Sequence, residues 1–148
     1  MNRREVVGTA ASFVHRVEHV DTDAAGVVHF SRYASLMESA ALDLLEGSDA
    51  GLEALEAVNC ELVISELAIR YLRAARYRDI LVGLPVLKEV KGTQFRVAVS
   101  LSRPAVDGQY EILASGTLNF AVTDVGSGRV VPLPQSIRER LKETCVDA

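Results

Sequence analysis

The chain is 148 residues long, with 49% hydrophobic residues, 24% charged residues and a formal net charge of −4. That length suits one domain over 1–148, burying roughly 68–70% of the unfolded surface, and the acidic balance excludes the excess of Lys and Arg with which nucleic-acid binders neutralise phosphates. No apolar run nears the ~20 residues of a membrane span, no apolar segment follows the basic start Met1-Asn-Arg-Arg-Glu5 as in a signal peptide, and the lone Cys60 and Cys145 make no CxxC pair, so a cytoplasmic domain without membrane contact is expected.

Residues 12–20 (SFVHRVEHV) are rich in β-branched and aromatic side chains and read as a first strand. The stretch Asp21-Thr-Asp-Ala-Ala-Gly-Val-Val-His-Phe30 then sets two carboxylates and a glycine between that strand and a helix. From 30 to 46, Phe30, Tyr33, Ala34, Met37, Ala40, Ala41, Leu44 and Leu45 recur at spacings of three and four, one face of a helix. Ser31 is its expected N-cap and Gly47 its stop. Residues 48–58 carry no clear period. Strands are expected at 60–74, 79–90, 94–103 and 109–124, separated by Arg-Asp, Lys91-Gly92 and Val-Asp-Gly turn signals. Within them Val97, Val99 and Leu101 alternate with Ala98, Ser100 and Ser102, as in a half-buried strand. A turn at Asp124-Val-Gly-Ser-Gly-Arg129 leads to a short helix at 135–144 with Ile137 and Leu141 on one face.

Consecutive strands on short turns make an antiparallel sheet, and the one long apolar-faced helix must cover one of its faces. The expected class is α+β, a sheet wrapped around a central helix. A doubly wound α/β fold is excluded, because gaps of about 2–6 residues leave no room for helices between the strands.

Helix-start amides and a loop carboxylate can meet in the Asp21–Phe30 stretch, a geometry suited to attack on a polarised carbonyl. A carboxylate such as Asp23 can attack a carbonyl or take a proton from water. The blander role for it is to cap the turn that Asp-Ala-Ala-Gly offers. Gly26 can take φ > 0 and bring backbone close to a ligand. Asp21 reads as a support of the loop through hydrogen bonds in preference to half of a catalytic pair. Glu38 falls at the edge of the apolar helix stripe and reads as a boundary residue. His15 and His19, four residues apart, would lie about 13 Å apart on a strand, too far for one ion, so no metal or cofactor is expected. Arg70, Arg73, Arg76 and Arg78 form the one basic concentration, suited to phosphate or to a solvated sheet edge. Nucleotide-loop and GxSxG signatures are missing from the sequence.

The DTDAAGVVHFSRY stretch, followed by the Met37-Glu-Ser-Ala40 helix, resembles the hot-dog-fold thioesterases of the 4-hydroxybenzoyl-CoA thioesterase type. Its first ten residues look most like the 1,4-dihydroxy-2-naphthoyl-CoA thioesterases. The similarity continues through Ile69-Arg-Tyr-Leu-Arg-Ala-Ala-Arg-Tyr-Arg-Asp79 and ends with Ser115-Gly-Thr117 and Gly128-Arg-Val-Val-Pro-Leu-Pro134, covering residues 12–140 in order. The resemblance implies a hot-dog fold that dimerises through its sheet, often into tetramers, with the site at the dimer interface. It also implies hydrolysis of an acyl- or aryl-CoA thioester to the free acid and CoA. Asp23 then occupies the position of the catalytic carboxylate, as nucleophile or as general base, and Phe30 offers its backbone N–H to the thioester carbonyl. Gly26 and His29 are the expected substrate contacts in the loop, with Arg73 and Arg76 toward the CoA phosphates. The chain departs from those relatives at His29, where tyrosine or tryptophan is common, and at Ser31-Arg32, where Ala-Asn or Pro-Asn is frequent. Val28 stands where hot-dog dehydratases carry histidine, which disfavours that chemistry. Hydrolysis of an acyl-carrier-protein thioester, from a polyketide or fatty acyl intermediate, and non-catalytic binding of acyl thioesters are the rival readings.

Overall fold

Residues 13–145 are described by a computed structural model; Ser12 of the expected first strand, and 1–12 and 146–148 of the expected 1–148 domain, lie outside the described residues. Strand β1 is Phe13–Arg16, shorter than the 12–20 expected. Val17 is buried and ties its N–H to the Asp79 carbonyl at 2.9 Å. His19–Asp21 then forms a single 3-10 turn. The reason is local: the Asp21 carboxylate accepts the Glu18 N–H at 2.8 Å, which offers the backbone an alternative to a sheet ladder.

Helix α1 runs Phe30–Gly47. Its N-cap is His29 and not Ser31, because His29 Nδ1 accepts the Ser31 N–H at 3.2 Å, the bond that a capping oxygen would otherwise accept. Gly47 is the last helical residue, as its place in the sequence indicates, but the left-handed residue that turns the chain is Asp49 at φ 55°. The segment 48–58 contains a six-residue helix α2, Leu52–Ala57, too short for a period to show. Then follow β2 (Cys60–Tyr71), β3 (Ile80–Val90), β4 (Gln94–Pro104), β5 (Tyr110–Asp124) and α3 (Gln135–Thr144). All four strand pairings are antiparallel, in the order β1-β3-β4-β5-β2.

The last three strands are sequential neighbours, but β2 is not paired with β3. It lies beside β5, from Cys60 opposite Asp124 to Tyr71 opposite Ala114, with its other edge free among the described residues. Residues 72–79 therefore carry the chain from one side of the sheet to the other, which is why β2 stops at Tyr71, short of the expected 74.

The alternation expected at 97–101 is present: Val97, Val99 and Leu101 are buried, as are Leu118, Phe120 and Val122 on β5. They meet Met37, Ala40, Ala41, Leu44 and Leu45 of α1 in one core. The fit is tightest at Gly116, where an added Cβ would lie 2.5 Å from Met37 Sδ and 3.1 Å from the Ala68 carbonyl oxygen. Gly116→Ala is expected to cost about 1–3 kcal/mol through overpacking, read as a lower urea midpoint; an unchanged midpoint would mean that α1 can lift off the sheet freely. Coverage by α1 fails toward β2. Ile64 and Leu67 share a face with buried Phe120 and Leu118 opposite them, yet are 37% and 39% exposed.

Candidate active site

The stretch between the 3-10 turn and α1 folds as a miniature hairpin. Thr22 bridges to Val28, the Asp23 N–H donates to the Val27 carbonyl at 2.9 Å, and the Gly26 N–H donates to the Asp23 carbonyl at 3.0 Å. Gly26 sits at φ 80°, the left-handed conformation that lets the hairpin turn back. Asp23 Oδ1 accepts the Ala25 N–H at 2.8 Å and the Val27 N–H at 3.4 Å, an Asx turn. The turn-capping role is therefore real. It occupies one carboxylate oxygen and leaves Oδ2 without a partner among the described residues, on an exposed side chain.

The base of the hairpin is closed by the His29 N–H donating to the Asp21 carbonyl at 2.9 Å. Asp23 is two residues from this rung, roughly 7 Å along extended chain. Phe30, one residue past it, is the first residue of α1, so its N–H has no intrahelical acceptor and finds none elsewhere among the described residues. It lies at the positive end of an 18-residue helix.

A second loop, 72–79, backs the hairpin. The Val28 N–H donates to the Ala75 carbonyl at 2.8 Å, Val27 bridges to Arg76, and the Ala75 N–H donates to the Tyr33 hydroxyl at 3.0 Å. Tyr33 meets Tyr71 edge to face at 5.1 Å, and the Tyr71 hydroxyl donates to the Phe30 carbonyl at 2.9 Å. Val28, Phe30, Tyr33, Tyr71, Leu72 and Arg73 thereby line an open slot of about 320 Å³ at the helix start. The loop is held by Arg103, whose Nη1 donates to Asp79 at 2.8 Å and to the Ala74 carbonyl at 3.1 Å, while Nε donates to Glu111 at 3.0 Å.

The buried polar centre is Asp21, 1% exposed. Its Oδ2 accepts from the Glu18 N–H and from His15 Nε2, each at 2.8 Å, and its Oδ1 accepts from Arg32 Nε at 2.8 Å. Burial pushes this carboxyl up, but the Glu18 N–H, His15 and Arg32 together outweigh burial and hold it below its ordinary value of 3.8. The folded state therefore binds fewer protons than the unfolded chain just below that value, so stability rises with pH there. The contribution is complete above about pH 5 and is lost as pH falls through the depressed folded value. In thermal midpoints measured from about pH 2.5 to about pH 6, Asp21→Asn should lose this part of the acid limb; an acid limb as steep as that of the unaltered chain would show that other carboxylates set it.

Asp23, Gly26, His29 and Phe30 thus fall in one hairpin and helix start, and Asp21 supports that loop as the sequence indicated. The basic cluster does not act as one patch. Arg73 borders the slot but pairs with Glu111 at 3.0 Å. Arg78 lies over the Tyr77 ring at 5.2 Å, and Arg70 lines a hollow with Ser115 and Thr117 on the sheet face away from α1. Neither Arg70 nor Arg76 has a partner for its guanidinium among the described residues, and of these two it is Arg76 whose backbone bridges to Val27 of the hairpin. His29 stacks on Phe30 at 4.6 Å while its Nδ1 accepts the Ser31 hydroxyl at 2.7 Å. Glu38 is exposed in a separate hollow with Leu42, Leu52 and Ile64, about 12 Å along α1 from Phe30. The strand that was to separate His15 from His19 ends at Arg16; His15 turns to Asp21 and His19 to the edge of Tyr77. Tyr71 falls inside the family-like stretch 69–79 but is not among the expected site residues, and Arg103 carries no sequence signal, having no neighbour at a telling spacing.

The family model of the thioesterase-like superfamily matches residues 17–141. The acyl-CoA thioesterase YbgC of Haemophilus influenzae is 31% identical over 128 residues, 86% of this chain and 90% of its own. The 1,4-dihydroxy-2-naphthoyl-CoA thioesterase from Synechocystis has the same fold at a TM-score of 0.76, covering 93% of this chain and 97% of its own, with 21% identity. An aspartate-to-asparagine variant of a 4-hydroxybenzoyl-CoA thioesterase, complexed with 4-hydroxybenzoyl-CoA, gives a TM-score of 0.78 over 88% of this chain and 96% of its own, with 19% identity. The architecture is the α+β hot-dog fold: one antiparallel sheet around one long helix. Among the described residues no helix is long and apolar enough to cross a membrane.

Proposed function

This chain belongs to the thioesterase-like superfamily, and on that premise we propose that it hydrolyses acyl-CoA thioesters to the free acid and CoA at the hairpin 22–28 and the first turn of α1. One observation carries the assignment of residues: an exposed carboxylate with one open oxygen shares a short, pinned hairpin with an unpaired helix-start amide. The Phe30 N–H donates to the thioester oxygen as negative charge gathers there; losing one such donor costs about 2.7–4 kcal/mol of transition-state stabilisation. Asp23 either attacks the carbonyl carbon, expelling CoA thiolate and leaving a mixed anhydride that water opens, or takes the proton of a water that attacks. Gly26 keeps the turn free of side chain. The acyl group lies against Phe30, Tyr33 and Tyr71, beside His29. Arg76, bridged to Val27 of the hairpin, is the unpaired cation offered to CoA phosphates, and Arg73 joins it by exchanging Glu111 for phosphate.

The working unit is an association of two copies, or two such pairs. The free edge of β2 is twelve residues long, lacks proline and exposes Val63, Ile64, Leu67 and Tyr71, features that solitary sheets normally avoid. A second copy paired there extends the sheet and closes the slot, whose wall includes Tyr71 and Leu72 from the end of β2. Two cysteines without a disulfide suit the reducing cytoplasm.

The test is a hydrolysis screen over aliphatic and aromatic CoA esters, with one acyl group offered also on acyl carrier protein. Turnover on CoA esters is expected. Turnover on the carrier protein alone would move the substrate class, and binding without turnover on either would leave a non-catalytic acyl-thioester binder.

A further inference from the structure

Three parts of the chain meet at one buried carboxylate. His15 reaches Asp21 from β1, the Glu18 N–H from the 3-10 turn, and Arg32 from α1, each at 2.8 Å. Asp21 also stands at the start of the hairpin 22–28, and its own carbonyl takes the His29 N–H at the hairpin's end. Arg32 is the third residue of α1, and its Nη1 donates to Ser35 Oγ at 3.0 Å one turn on. Among the described residues, Arg32 to Asp21 is the one side-chain bond that joins residues 18–28 to α1. The Val28 bond to Ala75 holds the hairpin to loop 72–79, which reaches α1 in turn through the Ala75 N–H and the Tyr33 hydroxyl, so the loop is an indirect tie and Arg32 the direct one.

We infer that Asp21 and Arg32 are a positioning pair, which sets the Asp23 carboxylate at its working distance from the Phe30 amide. The inference rests on the reading that those two groups carry the reaction. Neither member of the pair lines the slot at the helix start. The pair acts on geometry, where misplacement by about 1 Å can cost on the order of 10²-fold in rate. Arginine suits the role because its planar fork meets Asp21 and Ser35 together; a lysine ammonium is a single point on a flexible stem.

Arg32→Met and Arg32→Lys separate this role from plain support of the fold. Per mole of folded enzyme, well below the unfolding midpoint, Arg32→Met should lower kcat by about 10–100-fold with KM within about two-fold, and Arg32→Lys should fall between. In Arg32→Ala, millimolar ethylguanidinium should restore part of kcat saturably, since the Arg32 site is 39% exposed and open to solvent. If Arg32→Met does not fold, Asp21→Asn with Arg32→Met removes both charges together, and its kcat should be no higher than that of Arg32→Lys. A kcat equal to that of the unaltered enzyme, with only the melting temperature lowered, would overturn the inference. Asp23→Asn run in parallel keeps the two ideas apart. If it is inactive while Arg32→Met turns over at full kcat, only the positioning role falls. If Asp23→Asn is fully active, the assignment of Asp23 falls and the pair has nothing to position.

Discussion

Asp23→Asn is expected to lower kcat on the best CoA ester by about 10²–10⁴-fold, the range for loss of a positioned acid–base group. The fold should not change with it. Asparagine keeps an Oδ1 that can accept the Ala25 and Val27 N–H groups, so the Asx turn survives. Exposed substitutions that break no such bond usually fall within about 0.5 kcal/mol, and the melting temperature should reflect that. What the variant loses is the negative charge on the oxygen left open, and with it either the nucleophile or the base. Retained activity at an unaltered melting temperature would remove Asp23 from the chemistry and leave it as a turn residue.

The second large effect concerns the edge of β2. Val63→Lys combined with Leu67→Lys places two cations on a strand whose free edge and exposed apolar side chains invite a second copy. Both positions are solvent-exposed in the single chain, so the monomer should fold. A pairing of two copies along this edge gathers the four added cations at one seam, and like-charge juxtaposition costs several kcal/mol. The expected result is a halved mass by light scattering, together with at least a tenfold loss of kcat, about 1.4 kcal/mol on the barrier. A variant that is monomeric yet fully active would show that one chain builds the whole site.

The chain order of helices and strands was legible because it rests on periodicity. The three-and-four spacing from Phe30 to Leu45 and the alternation at 97–101 both reappear as buried faces. What escaped were features set by single contacts between distant segments. The cap of α1 falls on His29 because an imidazole nitrogen reaches the Ser31 amide, and residue preferences for caps favour hydroxyls. The first strand stops early because one carboxylate captures the Glu18 amide. The candidate site divides in the same way. Asp23, Gly26 and Phe30 are contiguous and could be read as a unit, whereas the aromatic wall from Tyr71 and the tie from Arg103 depend on the crossover of residues 72–79. Arg73 was read for its charge alone, without the glutamate that neutralises it.

The crossover also bears on the order in which the molecule assembles. Strands β3, β4 and β5 are joined by short hairpins and can pair early, because their contacts are local. β1 and β2 reach their partners only across long stretches of chain: Phe13 pairs with Gly83, and Cys60 with Asp124. Ring closures of that span are the entropically slow steps of folding. The hairpin of Asp23 and its backing loop are fastened by contacts of the same long span, Val28 to Ala75 and Tyr71 to Phe30. Hydrolytic competence should therefore arrive with the last phase of refolding, after most secondary structure has formed, so that partly folded chains are silent toward thioesters in the cell.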